Sequence, residues 1–181
     1  MKKFYFLFIS LLIIVSAIAQ NDLKKQPALG FSFTLHDYKT AAAIRSEGLV
    51  NIVRDKQLFK FNNMESGIGI NYLTGLSAHL DFISLFDVSS FKSTLNCEVT
   101  AGLNLKLLPD NYIATPFIHA GLGASAYDGY YGAFTPVGTG IQFNVANDVF
   151  FLLNAQYHIP VTQNANSTFF YGLTIAANVG K

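Results

Sequence analysis

The sequence predicts an all-β fold, an eight-stranded antiparallel up-and-down transmembrane β-barrel with a short helical insertion in its first long loop. Three observations lead there. Beyond residue 27, apolar residues alternate with polar residues or glycine, which marks strands with two unlike faces. Charged residues make up 13% of the chain, against ~25% in an ordinary soluble domain, too few to coat a water-facing surface. The N-terminus carries an export pattern.

That pattern comes first in the chain. Met1-Lys2-Lys3 is basic and Phe4 to Val15 bears no charge, as at the start of a secretory signal peptide. The run ends at Ser16-Ala17-Ile18-Ala19, where Ala17 and Ala19 offer the small side chains a signal peptidase requires. The expected division is a cleaved signal peptide over 1–19 and an outer-membrane β-barrel domain over 20–181. As a helical membrane anchor the apolar run falls short of the ~20 residues a span needs. About 160 residues remain, enough for one domain with an interior.

The strands follow in order. Leu29 to His36 alternates Leu, Phe, Phe and Leu with Gly, Ser, Thr and His, and Gly67 to Tyr72 repeats the rhythm. Leu95 to Lys106 shows it best, with apolar residues at every odd position through Leu105. Ser77 to Phe86, Thr115 to Ala124, Thr135 to Val145, Phe150 to His158 and Thr168 to Val179 complete eight. Most are near the ~9–11 residues a tilted strand needs to cross a bilayer.

Short turns are expected around Thr74-Gly75, Leu107-Leu108-Pro109-Asp110-Asn111 and Ala146-Asn147-Asp148. Longer links are expected over Asp37–Glu65, Asp87–Thr94, Ser125–Ala133 and Pro160–Ser167. This asymmetry matches outer-membrane barrels, with short periplasmic turns, long outer loops and, for an even strand number, both termini periplasmic. Within the first link, Thr40 is placed to cap a helix starting at Ala41, Gly48 to stop it, and Leu49 to Leu58 to continue helically. A link of this size usually has a role beyond connection, though it could simply cover the mouth.

The polar face holds Ser32, Thr34, Asn71, Thr100, Asn104, Gln142, Asn144, Asn154 and Gln156 among glycines, with few Lys or Glu. A water-facing exterior would carry many of those charges. A narrow lumen needs small hydrogen-bonding side chains, so this face is expected inside and the apolar face in lipid. Tyr72, Tyr157 and Tyr171 would join an outer aromatic girdle.

The stretches Pro27–Asp37, Lys39-Thr40-Ala41-Ala42 and Gly69–Ser77 resemble the N-terminal barrel of OmpA-type outer membrane proteins of Bacteroidetes, over essentially the whole mature chain. The resemblance implies an eight-stranded barrel. Longer relatives add a peptidoglycan-binding domain, which this chain, stopping at Lys181, is expected to lack. Such barrels commonly end in an aromatic residue read by the insertion machinery, whereas this chain ends Asn178-Val179-Gly180-Lys181.

Candidate chemistry is sparse. His36, His79, His119 and His158 fall on the lumen face, and His79 with Asp81 shares one strand, but two ligands are too few for a metal site. Glu98 and Lys106 share a face yet lie roughly 27 Å apart, so Glu98 needs a cation or amide from a neighbouring strand. Cys97, the lone cysteine, excludes an internal disulfide. A net charge of +1 with scattered Lys and Arg gives nucleic acid no footing.

Neither a Gly-x-Ser-x-Gly elbow nor a phosphate-binding loop occurs. No catalytic residue, cofactor or metal site is therefore assigned. The expected role is that of a non-enzymatic barrel with a closed polar lumen, in contact with outer-membrane lipid and the insertion machinery, and with a partner outside through the 37–65 loop. Two alternatives stay open. One is a lipid-modifying enzyme using Ser84, Ser89 or Ser90 with His36 or His158 at the rim, and the other a soluble periplasmic ligand carrier. Asn166-Ser167-Thr168 matches a glycosylation sequon and reads as a polar loop.

Overall fold

The computed structural model describes residues 24–54, 61–91, 94–146 and 148–179. The expected signal peptide over 1–19, residues 55–58 of the expected second helix, Asn147 and Gly180-Lys181 lie outside the described residues.

Eight antiparallel strands pair in chain order and close into a barrel through β1 and β8. They are β1 (Ala28–Asp37), β2 (Glu65–Ser77), β3 (Leu80–Phe91), β4 (Thr94–Lys106), β5 (Ala114–Tyr127), β6 (Tyr130–Ala146), β7 (Val149–Pro160) and β8 (Thr168–Asn178). Closure pairs every strand on both edges, so a backbone surrounded by hydrocarbon needs no water. The alternation reads out as expected. Phe31, Phe33, Ile68 and Ile70 are each about half exposed on the outside, while Ser32, Thr34 and Asn71 between them are buried inside. Thr100, Asn104, Gln142 and Gln156 are buried on the inner face too.

Part of the interior departs from the polar expectation. Leu73, Ile83, Phe117, Phe150 and Leu152 form a buried apolar cluster with Ala28 and Ala176. Their parity within the strands already points them inward. Bulk is needed there because neighbouring positions are glycine: a Cβ on Gly140 would meet the Phe117 ring at 2.3 Å, as one on Gly123 would meet Phe134 at 2.4 Å. Large side chains lying over glycines fill a narrow barrel.

The connections correct the expected asymmetry. β2 runs through Thr74-Gly75 to Ser77, and the turn falls at Ala78-His79 instead. The expected loop over Asp87–Thr94 is strand up to Phe91 and again from Thr94. Its polar residues continue the alternation, since Asp87 and Ser89 are buried inside. The expected loop over Ser125–Ala133 is a hairpin extension that turns at Asp128-Gly129, with φ of 48° and 78°. Positive φ at both central residues is what a two-residue turn compatible with strand twist requires, and Asp-Gly supplies it cheaply. Of the four links expected to be long, Asp37–Glu65 and Pro160–Ser167 are so, whereas the β4–β5 link expected to be short spans 107–113, as many residues as the 161–167 link.

That link carries two helices among its described residues, α1 (Tyr38–Glu47) and α2 (Leu49–Arg54), and a 3₁₀ turn at Phe61–Asn63. The cap of α1 is Asp37 rather than Thr40: its Oδ1 accepts from the Thr40 backbone N–H at 2.8 Å. The carboxylate ends β1 and reaches the third helical amide, the usual N-cap geometry. Gly48 stops the helix as expected, at φ 83° with its N–H donating to the Ile44 carbonyl.

Candidate functional site at the barrel mouth

The end of the barrel that bears the turns at 78–79 and 107–113 is called the turn end below, and the opposite end the mouth. Each is packed differently.

At the turn end the chain ahead of β1 tucks inward. The Gly75 N–H donates to the Lys25 carbonyl at 3.1 Å, and a Cβ on Gly75 would lie 2.5 Å from the Lys25 nitrogen, so this approach requires glycine. The Lys25 ammonium is 2.6 Å from Asp81 Oδ2, donates to Gln142 Oε1, and lies 4.6 Å above the Phe150 ring. Lys106 stands 2.9 Å from Asp81 and 2.7 Å from Asp110. Two cations and two carboxylates thus interlock. Burial pulls the Lys25 ammonium below the ordinary lysine range, against the opposing pull of Asp81 and Asp110. Sequence reading missed Lys25, which precedes the periodic segments.

Toward the mouth the interior holds rings and carboxylates. His158 lies between Phe134 and Phe170, stacked on both at centroid distances of 4.4 and 5.3 Å. His36 stacks on Tyr38 and meets Phe170 edge-on. Asp87 accepts from the Thr34 hydroxyl at 2.7 Å and from His36 Nε2 at 2.9 Å. Glu98, directly opposite Asp87 in the β3–β4 register, accepts from Asn96 Nδ2 at 2.9 Å and lies 3.6 Å from His158 Nδ1. The amide that Glu98 needs therefore comes from its own strand, and the imidazole from across the lumen. Neither ring nitrogen of His158 has a hydrogen-bond partner among the described residues.

The four histidines do not form one group, although the His36 and His158 rings meet edge-on at 6.5 Å. His36, His119 and His158 are buried inside, with His119 Nδ1 2.7 Å from Asn104 Oδ1. His79 sits in the β2–β3 turn, its Nδ1 3.1 Å from the Lys106 carbonyl, apart from Asp81. Among the described residues no three His, Cys, Asp or Glu side chains are grouped to hold a metal. By strand parity Ser84 and Ser90 share the outer face with Phe86, whereas Ser89 is inside and accepts from Asn96 at 3.4 Å. The imidazole of His36 is committed to Asp87. Among the described residues, Ser84, Ser89 and Ser90 are not assembled with His36 as nucleophile and base.

Above the rings, α1 and the β7–β8 link enclose an open pocket of about 560 Å³. From α1 come Tyr38, Lys39, Ala42, Arg45 and Ser46, three and four residues apart and so on one helix face. Asn63 and Glu65 form a second wall, Asn166 and Ser167 a third. The third wall is pinned: Val161 and Thr162 N–H donate to the Ala133 carbonyl, and Ala165 packs over Gly132, where a Cβ would lie 2.8 Å from its backbone. Arg45 donates to the Ser167 hydroxyl at 3.3 Å, tying helix to loop. Burial, with Glu98 and Asp87 nearby, pushes the Tyr38 phenol above its ordinary range, so it stays protonated. The 37–65 link thus supplies most of a pocket that no sequence motif announces.

No protein-family model matches the chain, and no curated protein matches it in sequence. In fold it is similar to the N-terminal β-barrel domain of Pseudomonas aeruginosa OprF, with a TM-score of 0.61 at 7% identity, covering 85% of this chain and 98% of that one. It is also similar to Neisserial surface protein A, NspA, with a TM-score of 0.55 at 10% identity, covering 84% and 95%. These neighbours are OmpA-like eight-stranded outer-membrane barrels. At such identities the likeness is one of fold.

Proposed function

We propose that this chain is a non-enzymatic outer-membrane barrel whose interior is sealed and whose mouth makes surface contacts. In this reading it is exported by a signal peptide over 1–19, handed to the barrel insertion machinery, and embedded with both termini in the periplasm. The supporting observation is the opposition of its two faces. Phe31, Ile68, Ile70, Ile118 and Leu122 stand outside at 54–71% exposure, while Asp81, Asp87, Glu98 and Lys106 are buried inside. A water-soluble carrier would place these sets the other way round.

The sealed lumen rests on the packing at both ends. The ion cluster fills the turn end and the Phe134–His158–Phe170 stack fills the mouth end, as side chains fill other eight-stranded barrels. The resemblance to Bacteroidetes barrels belongs to the same reading. Cell fractionation tests it: the mature chain is expected in outer membranes, with a gel mobility that changes on boiling. Recovery in the soluble periplasmic fraction would refute insertion. Planar-bilayer recording is expected to show no stable large conductance.

A further inference from the structure

We infer that the mouth pocket is a binding site for an acidic saccharide, one bearing carboxylate or phosphate groups on its sugar rings. This deepens the surface-contact reading and rests on it only for which side of the membrane the ligand comes from.

The size of the pocket, about 560 Å³, falls within the ~300–1,000 Å³ of ordinary small-ligand sites. Its lining selects among ligands. Among the described lining residues there is no Leu, Ile, Val, Met or Phe. Instead it offers side-chain amides and hydroxyls, from Asn63, Asn166, Ser46 and Ser167. These groups both donate and accept, which suits the vicinal hydroxyls of a sugar. The Tyr38 ring, the Ala42 methyl and the stems of Lys39 and Arg45 add apolar surface for the C–H face of a pyranose.

Charge sets the sign. Among the described lining residues, Lys39 and Arg45 stand against one carboxylate, Glu65, which gives them a net positive charge. Both cations are exposed, unlike Lys25 and Lys106, which are buried with Asp81 and Asp110. An arginine fork pairs well with a planar carboxylate or a phosphate. Preorganisation supports binding: the β7–β8 link is bonded to β6, and Arg45 already bridges helix and loop.

Titration calorimetry on the full mature chain, folded in detergent micelles, tests this with three probes. They are trigalacturonate, the core oligosaccharide released from lipopolysaccharide by mild acid, and neutral maltotriose. Binding of either acidic probe at least tenfold tighter than maltotriose, weakening with salt, is the expected result. Binding of trigalacturonate assigns acidic sugars generally; binding of the core alone assigns an envelope saccharide.

The double variant Lys39→Ala with Arg45→Ala should lose at least tenfold in affinity while keeping its heat-modifiable mobility, since both side chains are exposed. Asn166→Ala should lose a few-fold with its salt dependence unchanged. Equal affinity for acidic and neutral probes, an unchanged double variant, or binding of neither acidic probe would overturn the inference. Because the assay uses isolated protein, a chain found in the outer membrane that binds no acidic probe removes this inference alone. A chain that binds but fractionates as soluble removes the membrane reading alone.

Discussion

At the turn end of the barrel, two lysines and two aspartates neutralise one another, and one of the lysines, Lys25, comes from outside the strands. At the mouth end, Asp87 and Glu98 face each other across β3 and β4; among the described residues a hydroxyl, an amide and the His36 imidazole bond to them, and the His158 ring, set between phenyl rings, lies 3.6 Å from Glu98. The first arrangement spends its cations on closure. The second uses hydrogen-bond donors and rings, and the cations Lys39 and Arg45 stand above it facing the pocket. Function is therefore expected where charge is left facing outward.

Removing Asp81 tests this contrast hardest. Asp81→Ala leaves two buried ammonium groups sharing Asp110, and a broken buried pair costs about 3–5 kcal/mol. The loss should appear as a lower urea midpoint for the heat-modifiable band. Asp87→Ala should cost less, about 1–3 kcal/mol, because it also relieves the opposition to Glu98 and leaves only the Thr34 hydroxyl and the His36 imidazole without that acceptor. Equal costs would erase the distinction between the ends.

Between the ends, Ile70→Arg places a charge on the outer face near mid-strand, where lipid exposure predicts a loss of about 2–4 kcal/mol. A neutral effect on insertion yield and urea midpoint would mean that this face does not meet hydrocarbon. Gly75→Ala should cost about 1–3 kcal/mol by overpacking against Lys25, and should expose the N-terminal segment to protease. Ser167→Ala removes the buried hydroxyl that accepts from Arg45 and should cost about 0.5–1.5 kcal/mol, read as a small fall in the urea midpoint.

Strand parity was legible because one face is consistently apolar: it places His36, His119 and His158 inside and Phe31 and Ile70 outside. Loop lengths are less legible where polar residues belong to the strands. Asp87 and Ser89 are polar because they line the lumen, and Asp128-Gly129 was itself the hairpin signal, a two-residue turn between strands. The ion cluster could not be read from sequence. Asp81 pairs with Asn104 in register, so Lys106 becomes its diagonal neighbour only once β3 and β4 align. Lys25 carries no periodic signal at all, and the mouth pocket depends on how the 161–167 link folds back onto β6.

The mouth is expected to face the cell exterior and the turn end the periplasm. With Cys97→Ser as background, Ser46→Cys marks the exposed face of α1 and Asn111→Cys the exposed β4–β5 turn. A membrane-impermeant maleimide applied to intact cells should label the Ser46→Cys protein alone, and reach the Asn111→Cys protein only after the outer membrane is disrupted. Labelling of Asn111→Cys in intact cells, with or without Ser46→Cys, would contradict the account.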